Sequence, residues 1–205
     1  METAKEDAKM AARTTPGEGD YNLSDPINSF IDIVRRVVLQ PVGFFARLPR
    51  SGNLVNPLVF ALICIEISAI LGGLLGLVGV GANRGLGNFI GSIIAAPIVG
   101  AIGLFIGAGI LHLLVRLVVG AGNSGFEATF RVASYAAVVD LVSWIPAIGW
   151  LLGLYGVYLA VVGMREMHQT TTGKAVLVVL IPVGVILLLV LIGLLAAGAV
   201  LLSRL

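Results

Sequence analysis

Residues 175–202 read AVLVVLIPVGVILLLVLIGLLAAGAVLL, a run of about 28 positions without one charged side chain. Coiled as an α-helix it would reach about 42 Å, more than the roughly 30 Å of hydrocarbon in a bilayer. This stretch decides the fold class, an all-α, polytopic transmembrane helical bundle. Four more apolar runs precede it, at about 57–80, 89–119, 126–145 and 148–164, which makes five spans. Asn56 and Pro57 open the first as cap and first-turn proline. Ser124 and Glu127 have capping-box spacing ahead of the third, and Pro146 marks its end. The turn Pro146–Gly149 is so short that spans three and four should form a tight hairpin. Pro97 predicts a kink in the second span, and Pro182 lies inside the fifth.

Composition agrees. Hydrophobic residues make up 58% and charged residues 12%, and mean hydropathy is +1.05. A soluble chain needs far more polar surface. The net charge of +2 gives no basic field for nucleic acid, so no nucleic-acid partner is expected. The single cysteine, Cys64, sits in an apolar run and offers neither a disulfide framework nor a thiolate metal site.

Ahead of the spans the chain divides in two. Residues 1–25 form a polar cytoplasmic tail, disordered to about Asn22 and without a cleavage site, so the first span would itself direct insertion. Residues 26–50 form an interfacial segment, followed by the five-span domain over 54–205. Asp25-Pro26 gives a helix start, and Phe30, Ile31, Ile33, Val34, Val37 and Val38 recur at helical spacing up to Pro41. That stretch is too short to span and bears Arg35 and Arg36. It reads as an N-terminal amphipathic surface helix, with Arg47 and Arg50 continuing its interfacial character.

Charge placement gives an orientation. With the N-terminus in the cytoplasm, the cytoplasmic side holds Lys5, Lys9, Arg13, Arg35, Arg36, Arg47, Arg50, Arg116, Arg131, Arg165 and Lys174. The other side holds Arg84 and Arg204, eleven against two, as the positive-inside rule requires. Arg35, Arg36, Arg47, Arg50 and Arg131 are the candidate anchors at lipid phosphates, and Arg116 flanks the same surface. Gly72/Gly76, Gly103/Gly107 and Gly149/Gly153 are small-xxx-small pairs, suited to close helix packing within the chain or to a homo-oligomer.

Polar groups inside lipid are costly and need a reason. Glu66, His112, Arg116 and Asp140 are the candidate intramembrane polar site. Small neighbours, Ala133, Ala136 and Ala137 beside Asp140 and Ala108 and Gly109 beside His112, turn these faces into the bundle. One use is a polar path, with the carboxyls as proton or cation sites and His112 as relay. The other is interhelical hydrogen bonding, including Glu66 paired with His112 or Arg116. His168 beside Arg165 and Glu166 reads as a polar loop. No catalytic motif, metal-ligand spacing or cofactor motif is present, so neither enzyme activity nor a cofactor is expected.

Several segments resemble the Yip family, the Ypt/Rab-interacting-protein domain. Pro41-Val42-Gly43-Phe44-Phe45 is similar to its approach to the first span. Leu113-Leu114-Val115-Arg116, Gly120, Gly122 and the run from Gly125 through Phe126-Glu127-Ala128-Thr129-Phe130-Arg131-Val132-Ala133-Ser134-Tyr135 to Ala136 resemble its centre. Tyr155, Tyr158, Gly163, His168, Thr172 and Lys174-Ala175 resemble its continuation. The resemblance covers about Ile27 to Leu202. It implies a five-span bundle with a cytoplasmic N-terminus. Eukaryotic relatives bind small GTPases in vesicle traffic, but their Asp-Leu-Tyr-Gly-Pro-type signature is not found here. The chain looks like a compact prokaryotic member of the plasma (inner) membrane. Two functions follow as expectations: a non-enzymatic adaptor or organiser recruiting partners or shaping lipid, or a small transporter, channel or lipid-translocating protein using Glu66, His112 and Asp140.

Overall fold

The computed structural model describes residues 19–81, 85–146 and 148–203, with backbone alone at 150 and 199–202. The tail over 1–18, with Lys5, Lys9 and Arg13, and the cations Arg84 and Arg204 lie outside the described residues.

The first helix, α1 (Pro26–Leu39), begins with proline in its first turn. Pro41 has no N–H with which to continue it, so the chain breaks at Gln40 and restarts as α2 (Pro41–Arg47). The long apolar runs become α3 (Val55–Leu77), α4 (Leu86–Val118), α7 (Ile148–Met167) and α8 (Thr172–Leu202). Between α4 and α7 lie α5 (Phe126–Ala136), a 3-10 turn (Ala137–Val139) and α6 (Asp140–Ser143). Helix bounds fall within about three residues of the hydropathy runs because hydrophobic length and helix length are set by the same bilayer thickness. Pro97 and Pro182 sit inside continuous helices.

Three helices, α3, α4 and α8, are long and apolar enough to cross a bilayer, which makes this an integral membrane protein. The run expected as a single third span is instead α5, the 3-10 turn and α6 in series. Two expected caps are also corrected. Helix α3 starts at Val55, one residue before Asn56, and Asn53 Oδ1 takes the Val55 N–H at 2.8 Å. Helix α5 starts after Gly125 without a side-chain cap, and Glu127 turns away to accept the Gly52 N–H at 2.6 Å.

The core gathers α1 and α2 into the bundle. Ile33, Val37, Phe44 and Phe45 are buried with Phe60 of α3, Tyr135 of α5 and Leu159 of α7. Phe44 meets Tyr135 edge-on at 5.1 Å, and Phe60 meets the same ring at the same distance. The α2–α7 contact depends on Gly163, where a Cβ would stand 2.6 Å from Val132 Cγ1 and 3.1 Å from Phe45 Cε1. Segment 19–22, placed by sequence in the disordered stretch, joins this core: Gly19 and Tyr21 are buried. Gly103 and Gly107, by contrast, face open space, so that glycine pair is not used within the described residues.

Candidate functional site

Helix α5 is buried on nearly every side, and seven of its eleven residues are inaccessible: Ala128, Thr129, Phe130, Arg131, Val132, Ser134 and Tyr135. A helix enclosed in this way must find partners for its polar side chains inside the protein. It does so on two faces, although Ser134 Oγ and the Nε and Nη1 atoms of Arg131 have no partner among the described residues.

One face carries Glu127, Arg131 and Tyr135 at four-residue spacing. Arg131, 1% exposed, pairs through Nη2 with Asp20 at 3.2 Å and donates to the Asn53 carbonyl at 2.9 Å. The Tyr135 hydroxyl donates to Asp20 Oδ1 and accepts the Tyr21 N–H at 2.8 Å. With Glu127 holding Gly52, this face clamps the chain ahead of α1 and the α2–α3 loop onto α5. Arg131 is therefore an interior group and does not reach the membrane surface as the anchor reading expected. The other anchors differ among themselves. Arg35, Arg47 and Arg50 are exposed. Arg36 pairs with Asp32 at 2.5 Å and lies over the Phe44 ring at 5.7 Å.

The second face carries Thr129 and a directed chain of hydrogen bonds. The Ser124 N–H donates to His168 Nδ1 at 3.1 Å. A backbone N–H can only donate, so His168 Nδ1 is the bare nitrogen and Nε2 carries the proton. Nε2–H then donates to Thr129 Oγ1 at 3.0 Å, and the same oxygen meets His112 Nδ1, also at 3.0 Å. His168 is 1% exposed and not a loop residue in water. Burial, with His112 and Arg50 adding repulsion, pushes its pKa down to about 4.

The expected intramembrane site does not assemble as one unit. His112 belongs to the Thr129–His168 chain, and Arg116 is exposed on the last turn of α4. The pairing of Glu66 with His112 or Arg116 is not formed, and Glu66 Oε2 is buried without a partner among the described residues. Asp140 lines a separate cleft of about 470 Å³ with Ser68, Ser92, Ser143 and Trp144, bounded by Ala69, Gly72 and Gly73. Ser68 and Ser143 hydroxyls meet there at 3.0 Å. Asp20 and His168 were the members sequence reading missed. Their signal was limited to the polar residues of α5, Glu127, Thr129, Arg131, Ser134 and Tyr135, in a helix between apolar runs.

Two outcomes follow. Arg131→Met should lower stability by about 3 kcal/mol, because it strands Asp20 in a buried place, and Asp20→Asn added to it should restore part of the loss. Thermal unfolding in detergent measures both, and additive losses would contradict the pairing. His168 is neutral when folded and titrates near 6.5 when unfolded, so its contribution is complete above about pH 6.5. As pH falls from about 6.5 towards about 4 the unfolded chain binds a proton that the folded one refuses, and stability declines. His168→Gln, which keeps a donor and an acceptor without titrating, should flatten the fall in Tm over that window. Parallel wild-type and variant curves would refute the assignment.

No curated protein and no solved structure matches this chain. Its residues 35–194, from the second half of α1 through most of α8, match the Yip1 domain. Helix α5 and its hydrogen-bond chain lie within that match, Asp20 and Tyr21 of the clamp precede it, and the protein belongs to the Yip1 family.

Proposed function

We propose that this protein is a non-enzymatic membrane adaptor or organiser, with the α1–α2 segment as its contact surface for partners and lipid. The observation that carries this reading is the two-sidedness of α1. Ile33 and Val37 face the core, while Ile27 (72% exposed), Ile31 (60%), Leu39 (66%) and Arg35 face outward. Large apolar side chains beside a guanidinium on an outward face suit the boundary between headgroups and acyl chains. In this reading the chain crosses five times, with α5–α6 and α7 adding two crossings to α3, α4 and α8. The N-terminus is cytoplasmic, and the home is a prokaryotic inner membrane. Helix α7 has 20 residues, enough for about 30 Å.

A photocrosslinking side chain at Arg35 in living cells tests the proposal. Discrete protein adducts are expected at Arg35 and absent at Leu188, an exposed position on the apolar part of α8. Adducts confined to lipid at both positions would remove the adaptor role.

The Asp140 cleft favours a second reading, because a carboxyl among three serine hydroxyls is a plausible place for a proton or cation to pause. The adaptor reading expects no pH-driven flux from the wild-type protein in vesicles. Flux that is present and is lost in Asp140→Asn would transfer the function to the cleft.

A further inference from the structure

Beyond the α5 clamp and the Asp140 cleft, a third feature remains without a role. Between α2, the end of α7 and the turn into α8 lies an open cleft of about 440 Å³, lined by Ala46, Arg50, Arg165, Glu166, Gln169 and Thr170. We propose that this cleft binds a phosphate group, carried on an anionic lipid headgroup or free in solution.

Charge is the first argument. Two guanidinium groups face one carboxylate, which leaves a net positive charge in a concave site. Arg165 is already oriented: Nε and Nη2 both hold Glu166 Oε1, at 2.8 and 2.7 Å. A guanidinium fixed in this way presents its remaining N–H edge with little entropy left to lose. Arg50 has no hydrogen bond or ion pair among the described residues, and it is exposed. Its neighbour behind the cleft is His168, whose two ring nitrogens are committed to Ser124 and Thr129. Among the described residues Glu166 is the one carboxylate lining the cleft and Arg165 already holds it, so an anion from outside is the complementary partner of Arg50.

Backbone shape is the second argument. Gln169 takes φ 47, the left-handed conformation that side chains other than glycine seldom adopt. That turn places Thr170 at the cleft wall and lets its N–H bond the Arg165 carbonyl at 3.1 Å. Two residues later α8 begins, with 31 residues behind it. Its first turn is exposed at Thr172, Gly173 and Lys174, so the positive end of a long helix follows two residues after the cleft wall.

Position is the third. The elements around the cleft also carry exposed apolar side chains, Val42 on α2 one turn before Ala46 and Leu177 on α8. A phosphate in the cleft with acyl chains against these side chains is the arrangement an anionic lipid would take. A soluble phosphate would use the polar half alone. The proposal stands apart from the adaptor reading, since ligand retention by purified protein requires no protein partner.

The test uses the full chain in detergent, read by native mass spectrometry with dihexanoyl phosphatidic acid and separately with inorganic phosphate. Arg50→Gln should reduce retained phosphatidic acid at least fivefold, and Arg50→Lys should keep an intermediate fraction. Arg116→Gln, which removes an exposed guanidinium on α4 away from the cleft lining, should behave as wild type. Because Arg50 is exposed and unpaired, Tm should be the same in all these proteins, which separates lost binding from lost fold. Displacement of the lipid by millimolar inorganic phosphate would identify free phosphate as the ligand, and resistance to it would identify the headgroup. Unchanged retention in Arg50→Gln, an equal loss in Arg116→Gln, or retention of neither ligand by wild type would each overturn the proposal.

Discussion

A guanidinium 1% exposed inside a membrane protein must be matched, because an unpaired buried charge costs several kcal/mol. Arg131 meets that demand with Asp20 and the Asn53 carbonyl, groups 111 and 78 residues away in the chain. Those two contacts fix where the chain enters α1 and where it enters α3. Tyr135 repeats the arrangement one turn further on, and Glu127 repeats it one turn back. The order of the cytoplasmic-facing segments in the proposed topology thus depends on a single stripe of α5.

The same constraint changes the meaning of residues 26–47. As a surface helix they would be separable from the bundle. Here Ile33, Val37, Phe44 and Phe45 are core residues, and the Tyr155 hydroxyl of α7 donates to the Val38 carbonyl at 2.7 Å. That carbonyl lies at the end of α1, where the helix no longer supplies a donor. Deleting the segment would therefore open the core as well as remove a contact surface. Only its outward residues, Ile27, Ile31, Arg35 and Leu39, can be altered without that confusion.

Helix existence and extent were legible because hydropathy is a local property. The runs at 57–80, 89–119 and 175–202 read directly as α3, α4 and α8. What local reading missed was partnership. Ser124 and Glu127 have the spacing of a capping box, yet Glu127 finds a backbone N–H 75 residues away that fits better. Arg131 looked like an anchor because a cation near a span end generally is one. Nothing in its neighbours announces Asp20, and Asp20 sits in a stretch whose composition resembles a disordered tail. His112 is half-buried, and its partner, reached through Thr129, lies 56 residues away at His168. Past the break after Ala136, Val139 packs closely on α7, 3.2 Å from where a Cβ of Gly156 would be.

The carboxyl of Asp20, paired with Arg131, and those of Glu66 and Asp140, without an ion pair among the described residues, lie in different parts of the bundle. The clamp, the histidine chain and the arginine cleft share the end where α5 and α8 begin and α7 finishes. Glu66 and Asp140 lie further along the helices, and neither carboxyl gains a partner comparable to Asp20 of Arg131. Helix α8 shows the same polarity in its apolar residues. Ala175, Val178 and Val179 are buried, whereas every residue from Val185 to Leu195 is exposed. Such a surface is stable only in hydrocarbon. Protein contacts therefore fix α8 at its start and lipid must hold the rest, so the bilayer completes the tertiary structure that the α5 clamp begins.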